Sequence, residues 1–221
     1  MNKKKQHTSA GLSRRQHFPD DEKRLAWLPL LLDAYAIADT GVAVAIRDKG
    51  KKEKKRLACG KGCGICCVYQ KDLPLYSHEI VGIYWYVSEK ITGSVRDILR
   101  NRLAGGGVVA GCPFLIDNSC AIHPMRPVGC RQFNVFTAPC RPGEDPYYTR
   151  RGDVLQPDPA YLDRVFAAVL PFYNLKQEGD ISGAIRMVRA QIMNLLSYDW
   201  SKLAGLMEKG IATEKASKND G

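Results

Sequence analysis

Cys59-Gly-Lys-Gly-Cys63-Gly-Ile-Cys66-Cys67 is the stretch on which the reading of this chain turns. Four thiols fall within nine residues, at intervals of three, two and no intervening residues, with glycine at 60, 62 and 64. A lone buried cysteine is plausible as a small inert hydrophobe; four together with glycine between them fit that role poorly. Sulfurs sharing one ion lie about 2.3 Å from it, so the backbone that carries them must fold tightly. Glycine supplies the dihedral angles for this. A disulfide between the neighbours Cys66 and Cys67 would need strained geometry. On an ideal helix all four cysteines would share one face. The glycines argue against a regular helix at the start of the run, while its last two cysteines are placed to open one. The run predicts metal ligation.

Working outward, the remaining cysteines are Cys112, Cys120, Cys130 and Cys140, at intervals of seven, nine and nine residues. They lie in a segment, Gly111 to Pro142, that carries five prolines and therefore predicts loops and short strands rather than helix. These spacings are loose and gain weight because no other cysteine occurs in the chain. Four plus four fill two four-coordinate sites, or one site draws on both segments, or some thiols are reactive instead of liganding; the sequence leaves these open. Arg126 and Arg131 flank Cys130. A guanidinium there lowers thiolate pKa values and offsets the charge of a metal–thiolate centre, or it caps a turn. His123 reads as a hydrogen-bonded structural histidine in preference to a ligand or an acid–base group. The candidate ligands are all eight cysteines, and no residue is marked as catalytic.

The totals set the frame. The chain has 221 residues, 45% hydrophobic and 25% charged, enough for one core and too few for two ordinary domains. Its net charge of +10 is concentrated in two blocks, Lys3 to Arg15 and Arg47 to Arg56. Such blocks can attract nucleic acid or an anionic surface, so a nucleic-acid partner stays open. It is not favoured over a solvated tail and loop, because no aromatic–basic RNP pattern or paired C…C…H…H spacing accompanies the charge. No secretory signal is visible. The most apolar window, Leu25 to Ile46, contains Pro29, Asp33 and Asp39 and does not read as a membrane span. The expectation is a cytoplasmic protein with no membrane partner, in which eight cysteines are ligands or reactive thiols sooner than disulfides. Nothing in the sequence identifies a protein partner.

The layout predicts a flexible basic tail over 1–19, a single cysteine-cluster domain over 20–208 and a frayed tail over 209–221. A helix is expected from Asp20 or Asp21, with Leu28, Leu32, Tyr35, Val42 and Ile46 on one face. Asp39 falls on that stripe. Either the helix breaks near Thr40-Gly41, which is preferred, or Asp39 is a buried carboxylate with a partner near the cluster. A lysine-rich loop runs to Arg56, and an extended stretch covers Val68 to Leu75. Ser77 is placed to cap a helix from His78 to about Ile91, and a second helix spans about Ser94 to Leu103. Pro159 opens a helix to about Asn174, dented by Pro171, and another runs from about Ile181 to Met207. The fold class is mostly α, a single helical domain around a cysteine-rich centre of loops and short strands.

At these residues the chain resembles the YkgJ-type cysteine-cluster family, described as zinc- or iron-chelating and named for a CxxCxxCC run. The resemblance rests on Cys59, Cys63, Cys66 and Cys67, then Cys112-Pro113-Phe114-Leu115, Cys120, Arg126-Pro127 and Cys130-Arg131-Gln132-Phe133, and covers roughly 59 to 140. The first interval departs from the family name by one residue, and His123 stands where relatives often have an aromatic. The resemblance implies chelation of zinc or iron, including an iron–sulfur cluster, by these cysteines. Flagellin lysine methylases resemble the family in their cysteine run, which leaves open an iron–sulfur-dependent enzyme of unknown substrate, although no methyl-donor motif is present. A third alternative is a basic nucleic-acid or partner-binding module with a structural zinc. The spacing of Cys59, Cys63 and Cys66 also matches that of radical S-adenosylmethionine enzymes, but no strand–helix alternation follows it.

Overall fold

The computed structural model describes residues 15–60, 62–105, 111–176 and 178–208. Its helices are α1 (Pro19–Arg24), α2 (Trp27–Lys52), α3 (Ile65–Tyr69), α4 (Ser77–Glu89), α5 (Gly93–Ala104), α6 (Val128–Gln132), α7 (Pro146–Thr149), α8 (Pro159–Val169) and α9 (Ile181–Ala190). A last helix, α10, spans 201–208. Among the described residues the strands form two small antiparallel ladders. In one, β1 (Pro74–Leu75) pairs with β4 (Met193–Asn194); in the other, β2 (Leu115–Ile116) pairs with β3 (Ser119–Cys120). The mostly α, single-domain architecture is the one expected, and the ladders leave no barrel for radical S-adenosylmethionine chemistry among those residues.

Two apolar cores share helix α4. The first joins α2, α8 and α9. Leu28, Leu31, Leu32, Tyr35 and Ala38 of α2 bury one helical stripe against Val165, Phe166 and Val169 of α8. Burying each of the larger of these side chains stabilises the fold by about 1.5–3 kcal/mol. By length and composition alone α2 would cross a membrane; here its stripe packs on α8 and its acids are paired, Asp33 with Arg15, Asp39 with Arg131 and Asp48 with Arg47. The second core gathers Ile83 and Val87 of α4, Leu99 and Leu103 of α5, Phe114, Ile122, Trp200 and Leu203. Four of the cysteines, Cys67, Cys112, Cys120 and Cys130, belong to or pack against this second core, and none packs against the first.

Several local expectations need correction. Helix α2 runs unbroken through Thr40-Gly41. Asp39 has the partner of the other alternative without being fully buried: its half-buried carboxylate accepts a 2.7 Å bond from Arg131, whose side chain is only 4% exposed. Gly41 allows close packing rather than a break, since a Cβ there would lie 2.6 Å from Cγ of Tyr161. The first half of the lysine-rich loop is helical, because α2 continues to Lys52. The expected single helix from Asp20 is divided at Leu25–Ala26. Tyr76, not Ser77, is the N-cap of α4, and Glu79 reaches back to accept its backbone N–H at 3.0 Å. Pro171 turns the end of α8 into a 3-10 turn over Leu170–Tyr173, closed by Asn174 in the left-handed region, as its position implied. The helix expected over Ile181 to Met207 stops at Ala190, where β4 pairs with β1. The tail placed over 1–19 lies outside the described residues as far as 14. From Arg15 the chain is packed, with Arg15 on Glu22 and Phe18 edge-on to Trp85 at 5.1 Å. The tail over 209–221 also lies outside the described residues.

Candidate metal centre

The cysteines are set by several local devices. A bridge between Leu57 and Phe136 brings residues 57–59 beside 135–137, and the Val135 N–H donates to Cys59 Sγ at 3.2 Å. The chain then turns through Gly62, whose φ of +80° suits glycine. It enters α3, which carries Cys66 and Cys67 as the sequence allowed. Gly111 lets the second segment approach: its φ is +91°, and a Cβ there would lie 2.5 Å from the Cys67 carbonyl oxygen. That carbonyl accepts the Cys112 N–H at 2.6 Å. Cys120 ends β3, opposite Leu115. Cys130 sits in α6, a short helix that the proline content had argued against. Its start is held by buried Glu79, which accepts the Val128 N–H at 2.7 Å. Cys140 lies on an irregular loop braced by the Arg150–Glu144 ion pair at 2.6 Å.

These devices converge. All eight cysteines are free thiols, and all eight line one cavity of about 620 Å³. They divide by what lies behind them. Cys112 is part of the second core, and Cys67, Cys120 and Cys130 pack against it; Cys59, Cys63, Cys66 and Cys140 do not. Cys66 and Cys67 join the two sets, since their thiols are hydrogen-bonded. Electrostatics follows this division except at Cys66: Cys140 senses Cys59 and Cys63, and Cys130 senses Cys112 and Cys120, but Cys66 is felt by Cys59 on one side and by Cys112, Cys120 and Cys130 on the other.

Six of the thiols are pushed toward their protonated form. Burial pushes Cys112 up to about 12 and Cys140 up to about 11, and raises Cys59, Cys120 and Cys130. The hydrogen bond from Cys67, then burial, raises Cys66. A metal entering here must displace those protons. Among the described residues, no three His, Cys, Asp or Glu side chains already form a group that could hold an ion. The donor set still fits the chemistry, because soft thiolates suit zinc and iron–sulfur clusters and eight of them face one space.

The flanking arginines differ. Arg131 is structural: it stacks on Tyr35 at 3.9 Å, pairs with Asp39, and donates to the carbonyls of Pro124 at 2.5 Å and Arg126 at 2.9 Å. Arg126 and His123 line the cavity, 3.0 Å apart between Nη1 and Nε2. A guanidinium only donates, so Nε2 accepts and the imidazole is neutral with its proton on Nδ1. Burial, then Arg126 and Arg131, lower the His123 pKa in the same sense. Glu79 went unmarked in the sequence, though a carboxyl three residues after an N-cap is a capping-box position.

Residues 58–154 span every cysteine. This segment matches the CxxCxxCC family, described as a "putative zinc- or iron-chelating domain". The match covers somewhat less than half of the chain and takes in β1, β2, β3 and helices α3 to α7. No curated protein and no solved structure matches the chain.

Proposed function

We propose that this chain binds zinc or iron through its cysteine thiolates, as two four-thiolate sets. The outer set is Cys59, Cys63, Cys66 and Cys140, and the inner set is Cys67, Cys112, Cys120 and Cys130. The observation that carries this reading is the meeting of all eight thiols, from two distant segments, on one cavity. The match to a CxxCxxCC domain supports the metal class. The residues hold and orient the ion, and loading displaces thiol protons, held the more firmly at Cys59, Cys66, Cys112, Cys120, Cys130 and Cys140, whose pKa values are raised. A bound zinc would be structural with closed four-sulfur coordination; an iron–sulfur cluster on the same thiolates would add electron transfer. Eight free thiols favour a reducing compartment, so we place the protein in the cytoplasm.

The test is anaerobic purification followed by elemental analysis, sulfide assay and visible absorbance. Two metal equivalents without colour support zinc; iron with acid-labile sulfide and a brown colour supports clusters. A folded chain with neither metal, whose eight thiols all react freely with a labelling reagent, overturns the reading.

A further inference from the structure

The cavity has more room than metal ions need. A sphere of radius about 2.3 Å, the zinc–sulfur distance, encloses roughly 50 Å³, so two ions take up a small part of the 620 Å³ present. Small-molecule pockets run from about 300 to 1,000 Å³. The described lining contains no Asp or Glu, and its cationic side chain is Arg126. Arg126 has no ion-pair partner among the described residues, in contrast to Arg131. Its Nε is hidden from solvent and unbonded. A buried donor left without a partner is unfavourable, and a ligand acceptor that meets it as the side chain turns toward the cavity would offset that loss.

The guanidinium is also pre-positioned. The turn His123–Met125 is anchored from the first core, by Arg131 on the Pro124 and Arg126 carbonyls and by the Tyr35 hydroxyl on the Met125 carbonyl at 3.4 Å. His123 holds one terminal nitrogen, which leaves the Nε side of the fork facing outward from that bond. A planar fork matches a carboxylate or phosphate oxygen pair. Side-chain amides of Gln70, Asn118 and Asn134 line the same space and can hydrogen-bond the rest of a polar ligand.

We infer that the cavity binds a small anionic molecule, carrying a carboxylate or phosphate group, on Arg126 beside the cysteine thiols. This goes beyond metal binding, although it places the anion next to the proposed metal sets. His123 is a positioning residue for the guanidinium.

The experiment titrates the full chain, as purified anaerobically with its metal content measured, by calorimetry with inorganic phosphate and with succinate. Succinamide is the neutral control, and ionic strength is held constant. Saturable binding of one anion is expected, absent for succinamide, weakened at least tenfold by Arg126→Gln and less by Arg126→Lys, with the metal still bound at the unaltered stoichiometry. Phosphate against succinate decides which oxyanion fits better. Absent saturable binding, or equal affinity in Arg126→Gln, overturns the proposal and shows an adventitious ion only. Loss of metal in Arg126→Gln without prior anion binding overturns it too, assigning Arg126 to the thiolates. Arg126-dependent anion binding by a chain that holds no metal would keep this inference and sink the metal reading, so the two fail separately.

Discussion

The inner and outer thiol sets face the same cavity but stand on different ground. Cys112, Cys120 and Cys130 sit on the second core, on a ladder and a helix start that Glu79 and Arg131 tie to the first core. Cys59, Cys63 and Cys140 ride on a bridge, a glycine turn and a loop held by one ion pair. The difference teaches that a ligand set can be built into the fold or hung upon it. An ion on the inner set would be coupled to folding, whereas an ion on the outer set would be coupled mainly to the local order of two loops.

The largest effect follows directly. Structural zinc contributes on the order of 10 kcal/mol to folding in small domains. Cys112→Ser with Cys130→Ser should lower metal content by one equivalent and markedly lower the melting temperature. Cys59→Ser with Cys140→Ser should lose one equivalent as well, yet leave the circular-dichroism melt much closer to the parent. Equal destabilisation by the two pairs would erase the distinction between the sets.

Arg131→Met probes the tie that makes the inner set rigid. Removing one partner of a buried ion pair costs about 3–5 kcal/mol; the Asp39 side chain is 25% exposed, so the lower end is expected. The variant should weaken metal retention at the inner set, read by competition with a chelator, while the outer set keeps its affinity.

A pH scan sharpens the comparison further, through Glu79. Burial pushes this carboxyl from 4.5 up to about 7, against its two backbone N–H bonds and the Arg131 charge. Between those values the folded state holds a proton that the unfolded state has lost, so stability falls as pH rises. The contribution is fully present below about 4.5 and is gone above about 7, a span of about 3 kcal/mol at 1.4 kcal/mol per unit. Melting temperature measured from pH 5 to pH 8 should decline in the parent and flatten in Glu79→Gln. A flat parent profile would show that Glu79 is ionised throughout.

Much of this comparison was legible beforehand, and the rest was hidden for definite reasons. The first cysteine run raises ligation as the expectation, because four thiols and three glycines in nine residues have few other uses, and the structure brings its thiols to the cavity that the second segment also lines. The wide intervals of the second segment say nothing about register, so the grouping of Cys67 with Cys112 needed the close approach at Gly111. Asp39 looked like a helix break because an acid on an apolar stripe is costly until a partner is known, and Arg131 lies 92 residues away. The helix over 181–207 failed in the same way: its apolar period continues, but the β1 strand claims residues 193 and 194. Long-range pairs are what local periodicity does not carry.

Gly41→Ala gives the smallest effect and isolates the first core from the thiols. Alanine in place of glycine raises helix stability by roughly 0.5–1 kcal/mol, which favours the variant. Against this, the added Cβ would meet Cγ of Tyr161 at 2.6 Å and its Cβ at 2.8 Å. Rotating the Tyr161 ring relieves the first contact but not the second, because a Cβ moves only with its backbone. Helix α8 must therefore shift, at a cost of about 1–3 kcal/mol for overpacking. The net is a loss of about 1 kcal/mol, or about 2–4 °C in a chain of this size. Metal content should be unchanged in both sets, since the α2–α8 face buries no cysteine. If Gly41→Ala released metal while barely moving the melt, the first core would be coupled to the cavity more tightly than the Arg131 and Glu79 ties allow, and the contrast between a built-in set and a hung one would need redrawing.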